Sequence, residues 1–364
     1  MSHTLTRRER LRRCFFNEEL DRPGVYIRSG FPADDPSYDT LKAYVAIHTE
    51  LKRGWWGPAV DPGWPMETRI EPYSTEFRRL VTLLHTPKGD LRRSFLDGLE
   101  GQPGLHETYF INSREDAEKY LSLSVPDIRG DVSSFSAALS GIGDAGIVDV
   151  GLGMNPGGFV AELCGSENFA MLSVTDRDIL HRLCEREMGT TLQRVKLLLA
   201  HGVGPFFSML GEEYIVPPLH GPGDFRDFNV RYDKPIIDLI HEGGGRIHVH
   251  CHGPIKAVFS GFTDMGVDVL HPIEPPPQGN MTAREAKALA RGRMCLEGNI
   301  QINRMYEATP AGIAEETERL IADAFDDRKG LIVCPSASPY IRGRGADAFP
   351  RFKAMIDTVL GCRP

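Results

Sequence analysis

The sequence predicts a single (β/α)8 barrel, and three observations predict it. From residue 146 onward, short apolar runs alternate with amphipathic stretches, the rhythm of parallel β-α-β units. The runs are apolar throughout instead of alternating with polar residues, as strands covered on both faces require. Residues able to do chemistry follow directly after the runs, and a barrel gathers those strand ends at one mouth. At least six such units occur in a chain of 364 residues with no internal boundary, which favours a closed barrel. The competing architecture is an open doubly wound sheet, but no Gly-rich dinucleotide fingerprint follows the first run.

Each element has its own local reason. Thr6 stands where a helix N-cap belongs, ahead of a basic helical segment. Residues 23–27 read as an early strand, 54–91 as long loops or a small sheet over one end, and 115–123 as a short helix. The regular part then runs as strand 147–151, helix 176–201, strand 205–210 and helix 225–242, the last stopped by three glycines. Strand 246–250, helix 255–265, strand 267–270, helix 282–290, strand 294–297, helix 310–325, strand 331–334 and helix 349–360 complete it. The whole chain, 1–364, reads as one domain, with an N-terminal elaboration and first strands in 1–145 and regular units in 146–364.

Composition narrows the function. Hydrophobic residues make up 41% and charged residues 25%, ordinary for a globular protein. A net charge of -8 argues against nucleic-acid binding as the main task. No apolar stretch reaches the ~20 residues of a membrane span. Seven scattered Cys without a regular framework or an export signal are expected as reduced thiols in a cytoplasmic protein.

The richest motif is His250-Cys251-His252-Gly253, at the end of one run, with Cys334 at the end of another. Side chains two apart on a strand face the same way, so His250 and His252 can share a centre. A thiolate from Cys334 would complete a three-ligand set that suits zinc and leaves one position open. Packed core residues without a metal are the competing reading. Glu212, Glu213 and Glu274 are candidate catalytic carboxylates after other runs, and Arg28 and Asn299 are candidate substrate-binding residues. Asp268 is a candidate hydrogen-bond partner for a ligand His. His248 and His271 read as structural. Trp55, Trp56 and Trp64 are candidate walls for a flat substrate.

Several segments, in order along the chain, carry a family resemblance. They are Leu5-Thr6-Arg7-Arg8-Glu9-Arg10-Leu11, Asp21-Arg22-Pro23, Thr86-Pro87-Lys88-Gly89-Asp90-Leu91, Gly165-Ser166-Glu167-Asn168-Phe169, Gly266-Val267-Asp268-Val269-Leu270 and Glu297-Gly298-Asn299-Ile300. Together they resemble the uroporphyrinogen decarboxylase superfamily, which implies a (β/α)8 barrel. The decarboxylase Arg-rich segment is only partly matched, by Arg28, with Pro32 at its second Arg position. The zinc-dependent methyltransferase branch is matched more closely, by His250-Cys251-His252-Gly253 and Cys334, with His252 replacing a Cys. That resemblance implies zinc as cofactor, a corrinoid borne by a partner protein, a small methyl donor or thiol acceptor, and a homodimer. Tetrapyrrole decarboxylation is the alternative activity. A non-catalytic binding protein with a structural metal cluster is the alternative from another class.

Overall fold

The computed structural model describes residues 4–99 and 103–362. Eight parallel strands form one sheet: β1 (Gly24–Val25), β2 (Leu51–Trp55), β3 (Gly146–Met154), β4 (Phe206–Leu210), β5 (Arg246–His250), β6 (Val269–His271), β7 (Cys295–Glu297) and β8 (Leu331–Val333). Their order is β1-β8-β7-β6-β5-β4-β3-β2, the order of a barrel read around its wall. The seam between β1 and β2 is joined differently from the others. Glu50 N–H donates to the Val25 carbonyl at 3.0 Å, and the Glu50 carboxylate accepts from Val25 N–H at 2.6 Å. The carboxylate is fully buried and also accepts from Arg10 at 2.6 Å and Arg22 at 2.8 Å, which compensates its charge.

Arg10 belongs to the helix Arg7–Phe15, whose N-cap is Thr6; its hydroxyl accepts from Glu9 N–H at 3.1 Å. This helix covers the N-terminal end of the barrel. Phe15 meets Phe206, at the start of β4, edge-on at 5.1 Å, and Cys14 Sγ donates weakly to the carbonyl of Leu331, which opens β8. One end of the barrel is thereby closed, and the other is left for chemistry.

The main departure from the sequence reading is β2. The sequence reading starts its loops or small sheet at residue 54, yet residues 51–55 form a barrel strand paired to β3 over five residues. Between β2 and β3 lies an insertion built around a four-stranded antiparallel sheet (Met66–Pro72, Phe77–Leu84, Leu91–Gly98 and Leu105–Thr108). It shares an apolar cluster, including Leu84, Leu91, Phe110, Tyr120, Phe169 and Leu180, with the helices that follow β3. The 225–242 helix comes as a short α turn, a π turn over Arg226–Val230, and the helix Arg231–Glu242.

Where the insertion docks on the helix Arg177–Ala200, one carboxylate is badly placed. Glu187 is largely buried and one of its oxygens has no hydrogen-bond partner. Burial raises its pKa to about 7, against a smaller opposing pull from Arg186. A raised carboxyl pKa gives stability that is full below the unfolded value and is lost as pH rises through the folded one. The cost above pH 7 is on the order of 2–3 kcal/mol. Glu187→Gln is therefore expected to raise the melting temperature at pH 8 and to leave it nearly unchanged at pH 4. Thermal melts at both pH values check this, and an equal gain at both would refute it.

Candidate functional site

The site begins with side chains directed into the barrel from its strands. β2 pairs with β3 so that Lys52 lies opposite Ile147 and Gly54 opposite Asp149. Period-two alternation then places Lys52 and Gly54 on one face of β2, and Asp149 and Gly151 on one face of β3. Lys52, Gly54 and Asp149, together with Tyr26, Ser208, His248 and Glu297, line a cavity of about 330 Å³. Glu297, the last residue of β7, is completely buried and ion-pairs with Lys52. Burial pushes its carboxyl up, but Lys52 and His248 outweigh that and hold it well below the usual carboxylate range. Lys52 also stands 4.8 Å from the Tyr26 ring, a cation–π contact that lowers the cost of its own burial.

Imidazoles gather at the ends of β5 and β6 because the two strands are in register, His250 opposite His271. Their Nδ1 atoms approach to 2.9 Å and their rings stack at 5.0 Å. Arg28, just after β1, reaches both, with Nη1 3.5 Å from His250 Nδ1 and 3.3 Å from His271 Nδ1. Burial and the Arg28 charge push the pKa of His250 down to about 2, and that of His271 well down. Both rings are therefore neutral, the form that ligates metals. His271 is held from its other side at 3.2 Å from the Pro335 carbonyl. Cys334 is completely buried at the end of β8, and burial pushes its thiol up.

Among the described residues, three ligand-type side chains have donor atoms all within 4.8 Å of one another: His271, Glu297 and Cys334. This set differs from the His250, His252 and Cys334 of the sequence motif and shares Cys334 with it. His250 adjoins the set through His271. His252 packs edge-on against His250 at 4.6 Å, but its Nδ1 lies 3.2 Å from Glu274 and 41% of its side chain is exposed. The donors of the buried set are one nitrogen, one oxygen and one sulfur, all types that zinc accepts. Glu297 Oε1 is buried with no hydrogen-bond partner, so one carboxylate oxygen is available for such a role. His271 reads as structural in the sequence, and Glu297 as the plain end of a strand. The signal for each is a polar residue closing an apolar run.

The other sequence-picked residues distribute unevenly. Glu274 fixes the loop after β5, accepting from Gly253 N–H at 3.0 Å as well as contacting His252. Glu213 is mostly buried, accepts from Gly211 N–H at 3.2 Å, and has its pKa raised by that burial. Glu212 is fully buried with neither carboxylate oxygen hydrogen-bonded; burial and then Asp233 push it well up. Asn299 lines a separate cavity of about 480 Å³ beside Pro275, Pro276 and Pro277, outside the Lys52–Glu297 cavity. Asp268 is not beside a candidate ligand. It precedes β6, accepts from Ile247 N–H at 2.8 Å, and contacts His241 at 2.7 Å, at the strands' N-terminal end. Of the three tryptophans, Trp56 lines the central cavity. Trp55 is buried with Nε1 donating to Ser134, and Trp64 donates to the Ser124 carbonyl in the insertion.

The chain belongs to the uroporphyrinogen decarboxylase (URO-D) family, whose model matches residues 149–339, just over half of the sequence. No relative is found among curated proteins. A solved methyltransferase from Methanosarcina mazei is similar over 97% of this chain and 98% of its own, with a TM-score of 0.60 and 14% identity. A B12-independent methionine synthase from a Shewanella species, in complex with selenomethionine, is similar over 66% of this chain and 70% of its own, with a TM-score of 0.45 and 14% identity. The first likeness is one of fold. No helix among the described residues is long and apolar enough to cross a membrane.

Proposed function

We propose that this member of the URO-D family is a zinc-dependent methyltransferase. It would move a methyl group between a corrinoid, brought by a partner protein, and a small methyl donor or thiol acceptor. One observation carries the reading: a buried His271–Glu297–Cys334 donor set whose Glu297 lines the central cavity. When bound, zinc supplies Lewis acidity, holding a coordinated thiol as thiolate or polarising a methyl donor. Neutral His250 and His271 stay available because burial and Arg28 keep them from protonating. Arg28 orients an anionic group of the substrate at the mouth. Glu213, whose carboxyl burial pushes up, is the candidate for proton exchange with the substrate. Glu274 holds the His252 loop in place.

Two ligand sets are separable by experiment, because Cys334 is common to both. Zinc content of His271→Ala and of His252→Ala tells them apart. We expect His271→Ala to lose the metal and His252→Ala to keep it; the reverse would restore the motif His250, His252 and Cys334 as the ligands. The activity test is methyl transfer between methylcobalamin and a small thiol, run beside decarboxylation of uroporphyrinogen on the same sample. A metal-free protein that decarboxylates the tetrapyrrole and transfers no methyl would replace this reading with the alternative.

A further inference from the structure

Charge in the central cavity does not cancel evenly. Lys52 and Glu297 neutralise each other as a buried pair. Two charged groups are left over. Arg28 has only the His250 and His271 rings as side-chain partners and no carboxylate among the described residues. Asp149 has no cationic partner among them, and its Oδ1 is buried with no hydrogen bond. A buried, unsatisfied carboxylate oxygen costs stability unless something fills its need.

The surroundings of Asp149 say what that something is. Gly54, its register partner on β2, and Gly151, two residues on along β3, have no side chains. The Trp56 indole lies over both: a Cβ on Gly151 would stand 2.6 Å from its ring, and one on Gly54 3.3 Å from its Nε1. Trp56 is also held from below. Buried Arg194 donates to the carbonyl of Trp56 at 2.9 Å, of Gly151 at 3.1 Å and of Leu152 at 3.0 Å. An indole wall beside an unpaired carboxylate is the surface that recognises alkylated ammonium groups, which attract aromatic faces but donate few hydrogen bonds.

We infer that this cavity binds a small zwitterion, an N-methylated amino acid of the betaine type, with its ammonium against Trp56 and Asp149 and its carboxylate on Arg28. A volume of about 330 Å³ accommodates a molecule of that size and lies at the low end of the ~300–1,000 Å³ usual for small-molecule sites. For the reaction, though not for the binding, this rests on the methyltransferase reading and names its donor. Transfer would break one N–CH3 bond and leave its electron pair on nitrogen as a tertiary amine. The methyl carbon would bond to cobalt(I) of the corrinoid through the cobalt electron pair, with no proton moved.

The test is calorimetric titration of the purified full chain with glycine betaine, with tetramethylammonium and acetate as single-charge controls. Betaine is expected to bind with a Kd below about 1 mM, and each control about tenfold more weakly or worse. Asp149→Asn and Trp56→Leu should each weaken betaine binding about tenfold or more and leave acetate binding unchanged. Arg28→Met should weaken betaine and acetate alike, and circular dichroism on each variant confirms the fold. Betaine binding no tighter than either control, or unaltered in Asp149→Asn, overturns the inference. Binding with the expected pattern but no methyl transfer from betaine would keep the binding site and overturn its assignment as the donor, while failure of the methylcobalamin–thiol assay would count against the methyltransferase reading. Methyl transfer from another donor without betaine binding would remove only this inference.

Discussion

Cys334→Ala is expected to strip the protein of its metal and to end methyl transfer while leaving the barrel folded. Cys334 is the one residue shared by the motif set and by the buried His271–Glu297–Cys334 set, so its loss disables the centre under either ligation. Loss of a residue that only supports a ligand already costs about 10–100-fold in metal affinity or activity. Removing the ligand itself is expected to cost more, about 1,000-fold in rate. The fold should survive, because Cys334 caps a short strand whose neighbours Leu331, Ile332 and Val333 are all fully buried. The volume lost is that of one sulfur, worth about 1 kcal/mol. Metal content, circular dichroism and methyl-transfer rate measured on one preparation decide the matter. A variant that loses zinc and still transfers methyl at the wild-type rate would remove the metal from the mechanism.

Apart from β2, the barrel strands are legible because most are written as short, largely apolar segments. Arg246–His250 matches the expected strand residue for residue. β2 was not legible, for a reason tied to function. Its inward positions are Lys52 and Gly54, one carrying the charge that balances Glu297 and the other making room for the Trp56 indole. A strand whose inner face serves a site loses the apolar signature by which strands are recognised. The same logic governs the site residues. Strand-end placement points to Arg28, His250 and Cys334 because each stands at or just after the end of a predicted strand. Glu297 and His271 also end their strands, as His250 does, so strand-end placement alone does not single out the buried donor set. Asn299 follows the rule in sequence, yet its side of the loop faces the cavity beside the three prolines. Strand-end position fixes which end of the barrel a residue occupies, but not whether it turns toward the axis or toward the outer helices. Lys52, whose partner Glu297 is 245 positions away, has no local signal at all.

Replacing that lysine is expected to have the largest effect on stability. Glu297 has no exposure and the Lys52 side chain only 5%, so water cannot take over when the partner is removed. Lys52→Met keeps most of the volume and the contact with Phe15 and Tyr26 but leaves a buried carboxylate unpaired, at a cost of about 3–5 kcal/mol. The loss should depend on pH with a definite sign. In the wild type, Lys52 and His248 hold the Glu297 pKa well down despite burial. Its contribution is therefore present above the unfolded carboxyl value and fades only as pH falls through the lowered one. In Lys52→Met, burial is opposed only by the neighbouring imidazoles and the pKa rises. The variant should then lose stability as pH climbs from about 4 toward 8, because the carboxyl must either ionise unpaired or hold its proton against solution. Urea unfolding at pH 5 and pH 8 measures this, and a penalty equal at both would show that lost packing, not lost charge, is responsible. The double variant Lys52→Met with Glu297→Met completes the cycle. Replacing a buried ion pair by apolar groups of similar volume is often close to neutral, so the second substitution should recover most of what the first lost. A double variant no more stable than Lys52→Met would mean that Glu297 costs nothing when unpaired, and that the ion pair does not hold this cavity together.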